Sequence, residues 1–296
     1  MTKLIVGCGY LGRRVARAWI SDGHVVFALT RSESKAKELR AEGIQPIVGD
    51  LAVKGTLCEL PPVDTILYAV GFDRSINQSM RQVYVDGLAN VLDVVDSSSV
   101  SRFFFVSSTG VYGQDAGEWV DEQSVCQPRR EGGRVCLEAE NVLRAHPLGK
   151  SAIILRLAGL YGPGRIPRRR ELTEGLSITV PTAGYLNLIH VADVVRVILA
   201  AEQIVEPPDL YLVADGHPVQ RIEYYRELAR QLKAPDPQFG PPSESLLATD
   251  RAASADKRVR NQHMLEKLKI ILRYSSYREG LSAIVREELA GDVHRK

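Results

Sequence analysis

Apolar residues fall along this chain in two alternating patterns. Short runs that are apolar on both faces, "KLIVG", "VVFALT", "IQPIVG", "DTILYAV", "RFFFVSS" and "SAIILRLAGLY", recur over its first two thirds. Such runs, rich in Val, Ile and Phe, suit strands of a parallel sheet covered on both sides. Between them, residues 11–20, 83–95 and 135–143 space their apolar side chains at the helical period. The alternation predicts an α/β chain built on a doubly wound parallel sheet. After residue 161 the pattern changes: "GPGRIPRRRELTEG" reads as a long connection, followed by a helix over 191–201, a strand "DLYLVAD" and a helix over 222–232. Prolines cluster in "APDPQFGPPSES", a surface loop by composition, before a basic tail from residue 256 that reads as helical. No internal repeat is evident.

"GCGYLG", Gly7 to Gly12, leaves the first expected strand and opens the first expected helix. In that context the GxGxxG spacing is a dinucleotide signature, and the sheet becomes one of Rossmann type. Gly7 allows the tight turn, Gly9 lets a pyrophosphate approach backbone, and Gly12 lets the helix lie close on the sheet. The predicted division is a dinucleotide-binding domain over 1–165, to which 188–214 return, and a smaller C-terminal α/β substrate lobe from 166–187 and 215–296.

The second strand runs into "LTRSESK" with no acid at its tip. An NAD site usually places a carboxylate there to accept from the ribose 2′-hydroxyl, whereas an arginine suits the 2′-phosphate of NADP. Arg31 is therefore a phosphate ligand or a solvated loop residue, and Ser32 or Ser34 a donor or a helix cap. NADP(H) is favoured over NAD(H). Asp50 and Leu51 follow the third strand where an adenine edge would lie, and Ala69, Val70 and Gly71 end the fourth.

Five stretches, "GCGYLG", "GLANVLDVV", "FFFVSSTGVYG", "LRLAGLYGPGR" and "NLIHVADVV", together resemble the extended short-chain dehydrogenase/reductase superfamily, in its NAD(P)-dependent epimerase/dehydratase group. The tail "DKRVRN…YSSYREGL" is similar to that of an atypical subgroup. The resemblance implies a nicotinamide cofactor held by Gly7, Gly9, Tyr10, Leu11, Gly12, Arg31, Ser32, Asp50, Leu51, Ala69, Val70, Gly71, Ser107 and Tyr161. It places a substrate-orienting hydroxyl on Ser108, and it puts "LYGPG" beside the nicotinamide and substrate. The family's YxxxKxxxE pattern, anchored on Glu140, puts the tyrosine at Gly132 and the lysine at Cys136, so both are missing. A phenol works near neutrality only beside a cation, and residues four apart share a helix face, so the loss removes a matched pair. General acid–base catalysis is typically worth about 10²–10⁴-fold, and another group must supply it or the family reaction is not performed.

Arg134, Tyr112, Thr109, His190 and Arg165 are the candidates near the substrate. Several positions also have a structural reading: Tyr112 and Tyr161 with hydroxyls tied to backbone, His190 fixing a loop or capping a helix, Cys136 a small core thiol, and the run from Arg165 to Glu171 a solvated face. Gly132 and Gly133 remove side-chain volume where a larger substrate would fit.

Charge narrows the partners. Lys+Arg number 38 and Asp+Glu 36, a net +2 that steers the chain to neither nucleic acid nor membrane surface. Cys8, Cys58, Cys126 and Cys136 form no CxxC pair and the six histidines show no ligand spacing, so no metal site is expected and the compartment reads as the reducing cytoplasm. The segment opening the chain is too short and glycine-rich for a membrane span. The expected partner is a small molecule, sugar-nucleotide or otherwise anionic, with a carbonyl or hydroxyl to exchange hydride. The family likeness also admits a homodimer through the helices near 83–95 and 135–143. The alternative is an NADP(H)-binding redox sensor or partner-binding module without catalysis.

Overall fold

The computed structural model describes residues 1–57, 60–73, 77–241 and 256–293, with side chains through residue 288. The first half contains β1 (Thr2–Val6), α1 (Gly12–Ser21), β2 (Val25–Thr30), α2 (Glu33–Ala41), β3 (Gln45–Val48), β4 (Thr65–Tyr68), α3 (Gly87–Val94), β5 (Arg102–Ser108), β6 (Glu118–Val120) and α4 (Glu131–Ala145). The second contains β7 (Ala152–Leu157), β8 (Gly159–Tyr161), α5 (Arg169–Thr173), β9 (Tyr185–Leu186), β10 (Leu188–His190), α6 (Val191–Ile204), β11 (Asp209–Val213), β12 (Val219–Gln220), α7 (Arg221–Leu232) and β13 (Lys257–Val259). Helices Gln262–Leu268 and Tyr277–Val293 follow. Cys58 and the end of the proline loop, from residue 242, lie outside the described residues.

The chain divides into two units. The first comprises Met1–Ser108, Gly132–Arg156 and Val195–Tyr211; the second comprises Thr109–Glu131, Leu157–Val194 and Leu212–Lys296. Residues 109–131, which the sequence pattern leaves with the dinucleotide domain, belong to the second unit. The reason is local: β6 pairs in parallel with β13, Trp119 opposite Arg258, far along the chain. That pairing also replaces the helix expected from residue 256, because Lys257 and Val259 alternate inward while Arg258 faces out, the period of a strand.

The first unit holds the seven-stranded sheet, ordered β11-β7-β5-β4-β1-β2-β3. β3, β2, β1, β4 and β5 run parallel. Along these strands burial alternates between two layers. Leu4, Val6, Ile66, Tyr68, Phe103 and Phe105 pack with Leu88, Val91 and Leu92 of α3 and Val135, Ala139 and Leu143 of α4. Ile5, Leu67 and Phe104 between them are equally buried and point to the opposite layer. Helices on both faces explain why the runs are apolar throughout. They also spend the apolar positions of α3 and α4 inside the unit, so a dimer through these helices would rest on their polar outer faces.

The helix expected over 83–95 has two parts. Gln82–Asp86 form one wider π-helical turn, and α3 proper begins at Gly87. Gly87 lies against Leu51, where a Cβ would stand 3.1 Å from the Leu51 Cβ. At the start of β1, inside the sheet, Lys3 is fully buried. It donates to Glu202, to Asp64 at 2.9 Å and to Thr65 at 3.0 Å, while the Trp19 indole takes the other Glu202 oxygen at 2.8 Å.

The second unit is assembled from short pairs: β8 with β10 in parallel, β9 with β12 antiparallel, and β6 with β13. Its core gathers Tyr161, Leu172, Leu188, Tyr224, Tyr225, Tyr277 and Leu281. Among the described residues no helix is long and apolar enough to cross a membrane.

Candidate dinucleotide site

β1 ends at Val6, and strand order reverses around it, β4 on one side and β2 on the other. At such a switch point the crevice at the strand ends receives a ligand. The three loop glycines meet different demands there. Gly7 has φ +91°, and a Cβ on it would stand 2.6 Å from the Ala69 carbonyl and the Val70 nitrogen, so backbone packs directly on backbone. Gly12 carries the helix onto the strand: a Cβ there would come within 2.7 Å of the Gly7 oxygen and 3.0 Å of Ile5 Cγ2. Among the described residues a Cβ on Gly9 would meet nothing within 4 Å, and the same holds for Gly71. The protein's own packing does not require glycine at these two exposed positions, which leaves room for a ligand to approach the backbone. Helix α1 begins without a side-chain cap and without an acid in its first turn, so its positive end has no built-in counter-charge. Tyr10 flanks the loop with the Arg14 guanidinium 4.0 Å from its ring centroid, and Leu11 is buried. Burial raises the Cys8 thiol to about 11, with Arg13 opposing, so it is not a thiolate.

At the tip of β2, Arg31 is exposed and sits 3.6 Å from Asp73, itself exposed, on the segment after β4. Ser32 caps α2, accepting the Lys35 N–H at 3.4 Å. After β3, a Cβ on Gly49 would lie 2.6 Å from the Thr56 carbonyl, which presses the next residues into a tight turn. Asp50 there accepts the Ala52 N–H at 2.9 Å, and Leu51 is half-buried.

At the far end of β5 the two serines separate. Ser107 points inward and donates to Glu140 at 2.6 Å. Glu140 is fully buried and also receives Nε and Nη2 of buried Arg156 at 2.9 and 2.7 Å, and Arg144 at 3.1 Å. Ser107 is thus a latch between β5 and α4, which corrects its expectation as a cofactor contact through the side chain. Ser108, next along the strand, lies on the opposite face and is half-buried.

Helix α4 carries neither a tyrosine nor a lysine along its first two turns. Among the described residues a Cβ on Gly132 would find only Met80 Sδ, at 3.5 Å. Cys136 is half-buried, and burial raises its thiol to about 11 with Glu140 adding, so it carries no charge near neutrality. Arg134 is exposed. Facing α4 is Tyr84, on the π-helical turn before α3, whose hydroxyl accepts the Phe72 N–H at 3.0 Å. No local pattern marks it, because an aromatic among Val83 and Val85 reads as core.

The remaining candidates lie in the second unit. Thr109 is buried, donating to the Leu157 carbonyl at 3.3 Å, and Tyr112 is buried with its hydroxyl on the Asp121 carbonyl at 2.9 Å. His190 is buried between the rings of Tyr161, 5.2 Å away, and Tyr274, 4.2 Å away, and its Nδ1 accepts the Ala192 N–H at 3.2 Å. Tyr161 is 1% exposed and its hydroxyl rests against Gly280, where a Cβ would be 2.0 Å from the oxygen. Burial holds this phenol protonated. Tyr161, Tyr112, Thr109 and His190 are therefore core elements, correcting their expected roles as cofactor or substrate contacts through side chains. The basic run is largely neutralised: Arg168 pairs with Glu171, Arg169 with Glu288 and Arg170 with Glu174, while Arg165 Nε donates to the Leu160 carbonyl. Beside this core Asp215 is 4% exposed, its Oδ1 accepting the His217 N–H at 2.9 Å, and burial lifts its carboxyl to about 7.

A parallel sheet with a glycine loop at its switch point, an uncapped helix terminus and open space over Gly9 and Gly71 defines a dinucleotide-binding fold of Rossmann type. The chain matches the NAD dependent epimerase/dehydratase family over residues 4–214, and it belongs to that family. Membership supports an NAD(P)-dependent enzyme of the epimerase, dehydratase or reductase kind. Among curated relatives it is 30% identical to Protein YeeZ of Escherichia coli K12, over 79% of this chain and 85% of that one. It is also 28% identical to a 4-hydroxy-2-methyl-3-oxo-4-farnesyl-3,4-dihydroquinoline-1-oxide ketoreductase of Stigmatella aurantiaca, over 72% and 68%. Among solved structures, UDP-glucose 4-epimerase of Thermotoga maritima has the same fold, with TM-score 0.82, 18% identity and coverage of 98% and 99%.

Proposed function

We propose that this chain is an NADP(H)-dependent oxidoreductase acting on a carbonyl or hydroxyl of a small, anionic substrate. The observation that carries the reading is the pairing of the open glycine loop with a β2 tip that offers Arg31 and no carboxylate. Gly7, Gly9, Tyr10, Leu11 and Gly12 would take the pyrophosphate, Arg31 and Ser32 the 2′-phosphate, Asp50 and Leu51 the adenine edge, and Ala69, Val70 and Gly71 the second ribose. The ion pair of Arg31 with Asp73 does not stand against this, because a 3.6 Å contact between exposed groups is worth little and a phosphate dianion is the stronger partner. When bound, the nicotinamide gives or accepts hydride. Ser108 would orient the substrate oxygen from the end of β5, and exposed Arg134 would meet an anionic group of the substrate. A ketoreductase among the relatives supports carbonyl chemistry.

A second reading, a non-catalytic NADP(H)-binding sensor, is favoured by Gly132 and Cys136, since neither can move a proton at neutral pH. Fluorescence titration with NADPH and NADH, followed by a turnover screen with small keto acids and nucleotide sugars, separates the readings. Tight NADPH and weak NADH binding with turnover supports the oxidoreductase. The same binding without turnover on any substrate favours the sensor, and absence of binding removes both.

A further inference from the structure

We infer that the Tyr84 hydroxyl is a ligand of the second ribose of the dinucleotide, the one nearer the nicotinamide. The inference rests on the dinucleotide reading above and adds a residue to that site. Sheet order supplies the direction. With the pyrophosphate on the loop after β1 and the adenosine half toward β2, the other nucleoside must lie toward β4. Tyr84 stands there. Its hydroxyl is pinned by the Phe72 N–H, 3.0 Å away, one residue beyond Gly71, over which there is open space.

Three further observations place this oxygen at the cradle rather than in the core. The phenol is half-buried, unlike Tyr68 beneath it, which is 1% exposed. One of its lone pairs holds the Phe72 N–H, and among the described residues no acceptor is placed for its own proton. The π-helical turn Gln82–Asp86 holds it there, and such turns inserted in helices recur at functional sites. Among the described residues the neighbouring face of α4 offers no competing group. Met80 lies 3.5 Å from the Cβ position of Gly132, Arg81 is occupied by Glu138 at 2.7 Å, and Cys136, which acts electrostatically on Tyr84, is an uncharged thiol. Burial first, then Cys136, raises the phenol above its ordinary range, so it stays a hydrogen-bond donor through the working pH range.

The test measures NADPH affinity of wild type, Tyr84→Phe and Cys136→Ser by fluorescence, with thermal unfolding of each. Tyr84→Phe should bind about 10-fold more weakly, which corresponds to about 1.4 kcal/mol, with its unfolding temperature little changed, while Cys136→Ser binds as wild type. A second arm needs no variant: wild type should lose a similar factor toward an NADPH analogue lacking the hydroxyls of the nicotinamide ribose, and Tyr84→Phe should lose no more on that analogue. Equal NADPH affinity of wild type and Tyr84→Phe, or full additivity of the two changes, overturns the inference while leaving the dinucleotide site standing. Wild type that binds no dinucleotide overturns both.

Discussion

Replacing Glu140 by alanine tests the buried latch behind the strand end that carries Ser108. The side chain accepts four hydrogen bonds, from Ser107, twice from Arg156 and from Arg144. Glu140→Ala leaves the Arg156 guanidinium, 3% exposed, with its nearest carboxylate gone. Breaking a buried pair in this way costs about 3–5 kcal/mol. Losing the acceptor for Ser107 adds a share within the same range rather than on top of it. Arg144 is 42% exposed and its part is small. The expected loss is therefore about 4 kcal/mol, and about half that for Glu140→Gln, which keeps an oxygen for Ser107. Replacing both members, Glu140→Leu with Arg156→Met, should return most of the loss, because the desolvation of both ions disappears with the pair. The assay is urea unfolding followed by tryptophan fluorescence in a Trp119→Phe background, where Trp19, buried in the same unit as Glu140, is the reporter. A loss under about 1 kcal/mol for Glu140→Ala, or a double variant no better than the sum of its singles, would refute the argument that this pair is coupled and desolvated.

Other expectations follow from individual positions. Gly7→Ala should cost more than about 3 kcal/mol, since φ +91° and a 2.6 Å approach to the Ala69–Val70 peptide cannot both be relieved. Gly9→Ala should leave urea stability within about 0.5 kcal/mol yet weaken NADPH about 10-fold or more, because only a ligand meets the added methyl; unchanged affinity would separate the loop from the cofactor. Asp215, at about 7 when folded against an ordinary 3.8, binds its proton more tightly in the native state. Stability should therefore fall as pH rises from about 4 to 7, by a component on the order of 4 kcal/mol, then level off; Asp215→Asn should lack that component when unfolding is measured across this range by circular dichroism.

What could be read from the sequence is what depends on near neighbours. The sheet follows from two-sided apolar runs, and the glycine loop from a strand, a turn and a helix within about a dozen residues. Glu140 was legible only as the anchor of a motif; its role as a latch needs Ser107 and Arg156, brought together by the fold. Tyr84 was hidden because a phenol between two valines at helical spacing looks like core, and the π-helical turn shifts the phase of that spacing by one residue. The run from Arg165 to Glu171 looked like a basic patch because one of its counter-charges, Glu288, stands 119 residues away. Tyr161 was drawn toward the cofactor by its strand-end position, yet Gly280, on the last helix, seals its hydroxyl. Neither contact leaves a trace in local pattern.

The division into two units carries a consequence for how the chain is made. The path changes unit at 108/109, 131/132, 156/157, 194/195 and 211/212, so neither unit is a contiguous stretch of sequence. β11, at one edge of the seven-stranded sheet, ends at Val213, so a ribosome adding about 5–20 residues per second exposes the inner strands well before the sheet can be finished. Until then β7 is an open edge next to a hydrophobic layer, the condition in which nascent chains pair with the wrong neighbour. Either unit cut out by its sequence limits would also carry severed loops, so recombination can exchange their side chains one by one but cannot transplant either unit as a block.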